Sequence, residues 1–173
     1  MTCLDITGSR HLAAQRLTRL VRLVDFRLGN ALEMPFADRA FDVVIGQEAF
    51  AHVPEKPRLI AECARVVRAG GSIAFTDIVR GDALGAHAYV RLKREMTFLT
   101  LETLDGDARL LEAAGCAVIE REDLGELWTE ILKSRLEMYR SLETTTVERF
   151  GKDHFRRWDD TYAFFVGLFG PVS

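Results

Sequence analysis

Candidate groups for ligand binding stand where β-prone segments of the chain end. Asp5 lies in the β-prone run of residues 2–7, and Asn30 follows the short run of residues 25–28. In open sheets of parallel strands, ligands bind at the carboxyl ends of the strands. A carboxylate there could accept hydrogen bonds from both hydroxyls of a ribose, but strands also end in Asp because Asp favours turns. Asp5 is therefore predicted to be either a ribose-binding group or a turn residue.

A second set of polar side chains follows the apolar run of residues 41–45. Glu48 and His52 come soon after this run, and Asp77 lies in a later β-prone segment. A neutral imidazole at His52 could accept a proton from an incoming nucleophile. The alternative is a histidine that holds its loop through a hydrogen bond. Glu48 and Asp77 could each orient a substrate, or could cap a strand with no further role.

The elements that must position these residues alternate between strands and helices, which predicts βαβ units and a parallel sheet. The continuous apolar run of residues 41–45 is typical of a strand buried on both faces. A helix with an apolar stripe then ends at Gly70-Gly71. The predicted strands are 2–7, 25–28, 41–45 and 72–79, and the predicted helices are 9–23 and 57–68.

The second half of the chain is mainly helical. We predict helices over 80–101, 107–114, 126–149 and 153–169, and one further strand over 116–123. The last helix carries an aromatic stripe, which favours core packing, with a substrate-pocket wall or a dimer contact as alternatives. We predict a single domain over 1–173, divided into an α/β core over 1–79 and a mainly helical part over 80–173. The stripe consists of Phe155, Trp158, Tyr162, Phe165 and Phe169.

Composition narrows the class of protein. With 173 residues, 48% of them hydrophobic and 28% charged, the chain can form one globular domain. The net charge of −3 gives no indication of a nucleic-acid partner, and the chain contains no apolar run long enough to predict a membrane span. The three cysteines are scattered and predict no metal site. Residues 6–24 contain no acid and interleave arginines with leucines, as in a mitochondrial transit peptide or an ordinary amphipathic helix. Because this stretch falls inside the predicted fold, we favour the helix and a cytoplasmic location.

Five stretches in order make the sequence resemble a known family. They are NALEMPF over 30–36, FDVV over 41–44, EAFAH over 48–52, ECARVVRAGG over 62–71 and SIAFTD over 72–77. Together they resemble class I S-adenosylmethionine-dependent methyltransferases that act on small molecules. The similarity covers residues 2 to about 123 and is greatest to the branch of glycine, sarcosine and dimethylglycine N-methyltransferases. It implies a Rossmann-like α/β fold, with lid helices and C-terminal helices in the second half.

The resemblance also implies a cofactor site for S-adenosylmethionine. In such enzymes the acid that ends the second strand holds the ribose, which corresponds to Asp5 here. Ile6 and Thr7 would flank the adenine, and Asn30 and Ala31 resemble the adenine-binding turn.

Three further residues correspond to the methyl-transfer side of the family's site. Gln47 matches a residue that contacts the methionine part of the cofactor, and Glu48 and His52 match positions near the transferred methyl. Methyl transfer is an in-line displacement at a sulfonium carbon, so positioning contributes much of the catalysis. The resemblance therefore implies methyl transfer to a small-molecule acceptor, with an amine as one candidate. The chain could act as a monomer or as a homo-oligomer.

The sequence also departs from the family pattern. No GxGxG run occurs anywhere, and the first segment matches the second strand of the family. We therefore expect a sheet without its first strand and glycine-rich loop, in a chain truncated at the N-terminus and also at the C-terminus. Three alternatives follow: an inactive fragment, a non-catalytic interaction module, or an enzyme completed by another chain. A dinucleotide-dependent oxidoreductase is less consistent with the sequence than a methyltransferase, because it too needs a glycine-rich loop.

Overall fold

The computed structural model describes residues 1–18 and 23–169, which form two compact units. The first unit comprises Met1–Ile78 and Asp105–Val118. The second comprises Val79–Leu104 and the described residues from Ile119 onward. The prediction of one domain divided near residue 79 stays a prediction.

Two small parallel sheets form the first unit. Strand β1 (Thr2–Asp5) pairs in parallel with β2 (Asp25–Leu28), and β3 (Phe41–Gln47) pairs in parallel with β4 (Val67–Thr76). Within the described residues β1 and β3 are not hydrogen-bonded to each other. This arrangement confirms the predicted parallel strands.

Two helices of the first unit complete the connections between paired strands. Helix α1 (Gly8–Leu17) links β1 to β2, and α2 (Lys56–Val66) links β3 to β4. The helix predicted over 9–23 thus begins one residue earlier and is described as far as Leu17. The part of that prediction over 19–22 lies outside the described residues.

Helix α2 supplies most of the core of the first unit because its apolar residues recur on one face. Leu59, Ile60 and Cys63 on this face pack with Leu32 and Phe50. Burial raises the pKa of the Cys63 thiol to about 12. The thiol is therefore protonated at neutral pH and acts as a small apolar group.

The opposite face of β3 is open, which corrects the prediction of a strand buried on both faces. Val44 packs against the core, whereas Val43 and Ile45 on the other face are 49% and 74% exposed. Successive side chains of a strand point to opposite faces. Among the described residues, α2 covers only one of these faces, so the apolar run alone did not reveal which face would be covered.

The glycine pair after α2 belongs to a strand, which corrects the predicted helix end. Helix α2 ends at Val66 and β4 begins at Val67, with Gly70 at φ +73° inside the strand. The register shifts between Phe41 and Val43 at this irregularity. A Cβ on Gly71 would lie 2.5 Å from the Asp42 carbonyl oxygen, so the pair permits a close strand contact rather than a helix cap.

The second unit is helical. It contains α3 (Ala86–Glu95), α5 (Gly125–Ser141), α6 (Glu143–Phe150) and α7 (Lys152–Gly167). The helix predicted over 80–101 is thus shorter, and the helix predicted over 126–149 is divided into α5 and α6 at Leu142. Among residues 1–18 and 23–169, no helix combines the length and the apolar character needed to cross a bilayer.

Between α3 and α5 the chain forms a helix and a loop in place of the predicted strand. Helix α4 (Leu104–Ala113) ends near Gly115, which adopts φ +83°. Residues 116–123 form no strand, and Ile119 within them is 92% exposed. The strand-like composition of this segment was therefore misleading, because no strand among residues 1–18 and 23–169 pairs with it.

Core packing explains much of the aromatic stripe of α7. Phe155 and Phe165 are buried, and Phe155 stacks on Tyr139 with ring centroids 5.1 Å apart. Phe165 also contacts Phe98 at 5.6 Å between centroids. Trp158 is partly exposed at one side of the stripe. The favoured prediction of core packing is confirmed for the two buried phenylalanines.

Candidate functional site

Asp5 ends β1 with its carboxylate in a tight turn. Its Oδ1 accepts a hydrogen bond from the Thr7 amide at 2.7 Å, and its backbone carbonyl accepts one from the Gly29 amide at 3.0 Å. The other carboxylate oxygen has no protein partner among residues 1–18 and 23–169. The turn role considered for Asp5 is therefore real, and it leaves one oxygen available to a hydroxyl donor. Ile6, the next residue, is largely exposed.

Asn30 occupies the equivalent place after β2. Its Oδ1 accepts a hydrogen bond from the Leu32 amide at 2.9 Å, and its carbonyl accepts one from the Glu33 amide at 3.1 Å. Because Asp5 pairs with Leu28 across the parallel sheet, Asp5 and Asn30 lie at the same edge. The structure thus brings together the two groups that the sequence placed at the ends of β1 and β2.

A charged clamp that the sequence did not reveal fixes the segment after Asn30. Glu62 Oε2 accepts a hydrogen bond from the Met34 amide at 2.7 Å, and Arg65 donates to the carbonyls of Met34 and Phe36 at 3.0 and 2.8 Å. The hydrogen bond from Arg65 lowers the pKa of Glu62, so this carboxylate stays charged near neutral pH. A Glu and an Arg three residues apart on one helix face were the available signal.

The loop after β3, residues 48–53, carries Glu48 and His52 and is here called the β3 loop. Glu48 has φ +48°, which is uncommon for a residue with a side chain, and its amide donates to the Thr76 carbonyl at 2.9 Å. Phe50 is buried, stacks on Phe75 at 4.7 Å and lies directly over Gly46. His52 remains exposed.

Three buried ionic residues lie next to the β3 loop and are here called the Lys56 cluster: Lys56, Asp77 and Asp107. The Nζ of Lys56 lies 2.8 Å from Asp77 Oδ2 and 2.9 Å from Asp107 Oδ1. Asp77 Oδ1 accepts a hydrogen bond from the Ala51 amide at 3.0 Å, and its side chain is 1% exposed. Both oxygens of Asp77 are therefore occupied by protein groups. This carboxylate holds the protein together rather than facing a substrate.

The two parts of the candidate site share one core. Ala31 and Leu32, directly after Asn30, pack in the same apolar cluster as Phe50 of the β3 loop. Gln47 ends β3 opposite Thr76 and is exposed. All the predicted site residues thus lie at or after the carboxyl ends of parallel strands, with carboxylate, amide and imidazole groups among them. Such groups can bind a ligand that offers hydroxyl and amine donors.

Parallel βαβ units with polar groups after the carboxyl ends of their strands define a Rossmann-like α/β fold. Residues 1–75 match the protein family described as a methyltransferase domain. A methyltransferase of Streptomyces halstedii is 35% identical over 106 residues, which cover 60% of this chain and 38% of that protein. The glycine/sarcosine/dimethylglycine N-methyltransferase of Actinopolyspora halophila is 27% identical over 157 residues, which cover 89% of this chain and 28% of that protein.

A solved structure shows the same fold. Phosphoethanolamine N-methyltransferase 2 of Haemonchus contortus, in complex with phosphomonomethylethanolamine and S-adenosylhomocysteine, superposes with a TM-score of 0.86 at 16% identity. The match covers 96% of this chain and 39% of that protein. Residues 1–75 thus match a methyltransferase domain and the chain has the fold of the Rossmann-like methyltransferases, which confirms the resemblance stated from the sequence. It spans 39% or less of the length of each of these three proteins.

Proposed function

We propose that this chain binds S-adenosylmethionine and takes part in methyl transfer to a small-molecule acceptor. The observation that carries the proposal is the position of Asp5 and Asn30 at the carboxyl ends of two paired parallel strands. One oxygen of Asp5 has no partner among the described residues, so it suits a ribose hydroxyl. Gln47, at the end of β3, is assigned to the methionine part of the cofactor.

The bound cofactor would supply an electrophilic methyl group on a sulfonium ion. Around it, this chain's own residues bind and orient. Ile6 and Thr7 flank the adenine, the turn at Asn30 and Ala31 holds it from the other strand, and Asp5 accepts from the ribose. The amide hydrogen bond of Thr7 to Asp5 keeps that carboxylate in place.

Glu48 and His52 are assigned to the acceptor side. Both belong to the β3 loop, which follows Gln47 directly, and His52 is exposed. A neutral imidazole nitrogen of His52 can receive the proton that an amine loses when it gains a methyl group. The carboxylate of Glu48 can hold an ammonium or hydroxyl group of the acceptor in the required orientation. An amine acceptor is supported by the N-methyltransferases among the relatives.

Removing the Asp5 carboxylate is expected to weaken cofactor binding. In isothermal titration with S-adenosylhomocysteine, the wild-type chain should show saturable binding, and Asp5→Ala should bind roughly 10–100-fold more weakly. The physical reason is the loss of a charge-assisted hydrogen bond to the ribose hydroxyls.

A matched control lies on the same sheet. Asp25 begins β2 at the opposite edge, is exposed, and pairs with Arg27 at 3.1 Å. Asp25→Ala removes the same carboxylate type and should leave the affinity for S-adenosylhomocysteine unchanged. Equal losses in both variants would refute the assignment of Asp5. A folded wild-type chain without any binding would refute the proposed function.

The open face of β3 favours a second candidate function, that of a non-catalytic interaction module. Val43 and Ile45 expose apolar surface on one face of β3. For such a module we expect no binding of S-adenosylhomocysteine and a defined oligomer in sedimentation velocity, which Ile45→Lys should dissociate. Because Ile45 is exposed, this substitution should change the free energy of unfolding by less than about 0.5 kcal/mol. A monomer that binds the ligand would exclude this candidate.

The remaining predictions about surroundings belong to this proposal. From the sequence composition and the family resemblance we propose a cytoplasmic location and no nucleic-acid or membrane partner. A homo-oligomer is an alternative to a monomer. None of them enters the assignment of Asp5, Asn30 or Gln47.

A further inference from the structure

The Lys56 cluster joins three elements of the first unit behind the candidate site. Lys56 begins α2, Asp77 follows β4, and Asp107 lies in the first turn of α4. The lysine side chain is 0% exposed, which is rare for a lysine unless it is paired. Its Nζ contacts one oxygen of Asp77 and both oxygens of Asp107, at 2.8 to 3.0 Å.

The end of β4 connects this cluster to the β3 loop through two consecutive residues. The Thr76 carbonyl accepts a hydrogen bond from the Glu48 amide, and Asp77 Oδ1 accepts one from the Ala51 amide. Two backbone amides of the loop are therefore held by adjacent groups. Since Asp77 is itself held by Lys56, the position of Ala51 depends on a buried ion pair.

The β3 loop needs such support because its backbone is strained. Glu48 adopts φ +48°, a conformation that persists when the surrounding structure determines it. Phe50 supplies an apolar anchor against Phe75, and Asp77 supplies a directional polar anchor at the next residue. A buried ion pair contributes little net stability compared with apolar groups of similar volume. The distinctive contribution of this ion pair is to orient the Asp77 carboxylate toward the Ala51 amide.

We propose that the Lys56 cluster is a positioning device for the cofactor site. By holding Ala51 through Asp77, it fixes the end of β3, so that Gln47 meets the methionine part of S-adenosylmethionine and Glu48 meets the acceptor. Asp77, Lys56 and Asp107 act through these residues and touch no ligand. This inference rests on the proposed function.

Two probes separate the positioning role from general destabilisation. S-adenosylhomocysteine reaches both the adenosine side at Asp5 and the methionine side at Gln47, whereas adenosine reaches only the former. In Asp77→Ala, which leaves Lys56 paired with Asp107, affinity for S-adenosylhomocysteine should fall roughly tenfold. Affinity for adenosine, followed by the amide shift of Thr7 in NMR titration, should stay within about twofold.

Two variants control the comparison. Asp77→Asn keeps an acceptor oxygen for the Ala51 amide and should recover most of the affinity lost in Asp77→Ala. If the alanine variant fails to fold, Asp77→Asn replaces it. Its affinity for S-adenosylhomocysteine should then fall a few-fold, and its affinity for adenosine should not change. Asp42→Ala removes an exposed carboxylate at the start of β3 and should change the affinity for neither probe. Equal losses for both probes, or no loss for either, would overturn the proposal.

Hydrogen exchange provides a readout that does not depend on any ligand. The Ala51 amide should exchange at least about tenfold faster in Asp77→Ala, while the Leu59 amide, bonded to the Glu55 carbonyl at 3.0 Å, should keep its protection. Equal acceleration of both amides would show general unfolding and contradict positioning. If the wild-type chain binds neither probe, the proposed function fails, and unchanged exchange at Ala51 would independently refute the anchoring of the loop.

Discussion

Replacing Lys56 with methionine is expected to lower the free energy of unfolding by about 3–5 kcal/mol. The ammonium group is fully buried between two carboxylates, and methionine would occupy a similar volume without the charge. Asp77 and Asp107 would then face each other uncompensated, and this desolvated like-charge pair is the main source of the loss. Urea denaturation followed by far-ultraviolet circular dichroism would measure it, with exchange of the Leu59 amide as a reporter of the first unit.

The matched control for this substitution is Arg68→Met. Arg68 lies near the start of β4 and pairs with Asp42, but both side chains are more than half exposed. Solvent screens such a pair, so its loss should cost less than about 1 kcal/mol. If Lys56→Met and Arg68→Met had the same small effect, the Lys56 cluster would not be a buried ionic group. A stabilising effect of Lys56→Met would lead to the same conclusion.

The Lys56 cluster could not be predicted from the sequence. A lysine at the start of a helix is ordinarily solvated, and its partner Asp107 lies 51 residues further along the chain. No periodicity connects them. Asp77 could be recognised as a polar residue after a strand, but its two buried partners, which decide between substrate contact and structural support, depend on tertiary packing.

Local signals performed better for the strands that carry the candidate site. The strand over 25–28 was predicted with its observed bounds, and β1 and β3 begin at the predicted residues. Turn-forming residues mark these boundaries, so Asp5 and Asn30 could be placed at strand ends from sequence alone. The edge they share follows from the parallel pairing, which the alternation of strands and helices predicts.

Predictions failed where the environment rather than the pattern decides. Residues 116–123 have the composition of a strand, but the described chain offers them no pairing partner. The apolar run of β3 predicted two covered faces, and only the face toward α2 is covered. The same sequence would suit either outcome, because an apolar side chain does not specify what packs against it.

The contact between Gly46 and Phe50 leads to the second large effect. A Cβ on Gly46 would lie 2.3 Å from Cε1 of the Phe50 ring, so Gly46→Ala requires the buried ring to move. We expect a loss of about 1–3 kcal/mol for Gly46→Ala through overpacking. For Phe50→Ala we expect a loss of about 3–5 kcal/mol, because a cavity replaces the ring stacked on Phe75.

The double variant tests whether these two losses have one cause. Without the Phe50 ring, the methyl group that Gly46→Ala introduces meets no clash and fills part of the cavity. The combined loss should therefore be smaller than the sum of the single losses by about 1 kcal/mol or more. Gly8→Ala, whose new Cβ would meet no atom within 4 Å, should be neutral or slightly stabilising and controls for the backbone effect of removing a glycine.

Strict additivity in urea denaturation would contradict this packing of the β3 loop. It would mean that the ring does not lie over Gly46 and that the apolar anchor of the loop is elsewhere. A coupling of the expected sign would show that Gly46 is required for close approach, since any side chain there displaces Phe50. Because Ala51 and His52 directly follow this ring, the ordered position of the candidate site depends on a residue that carries no side chain.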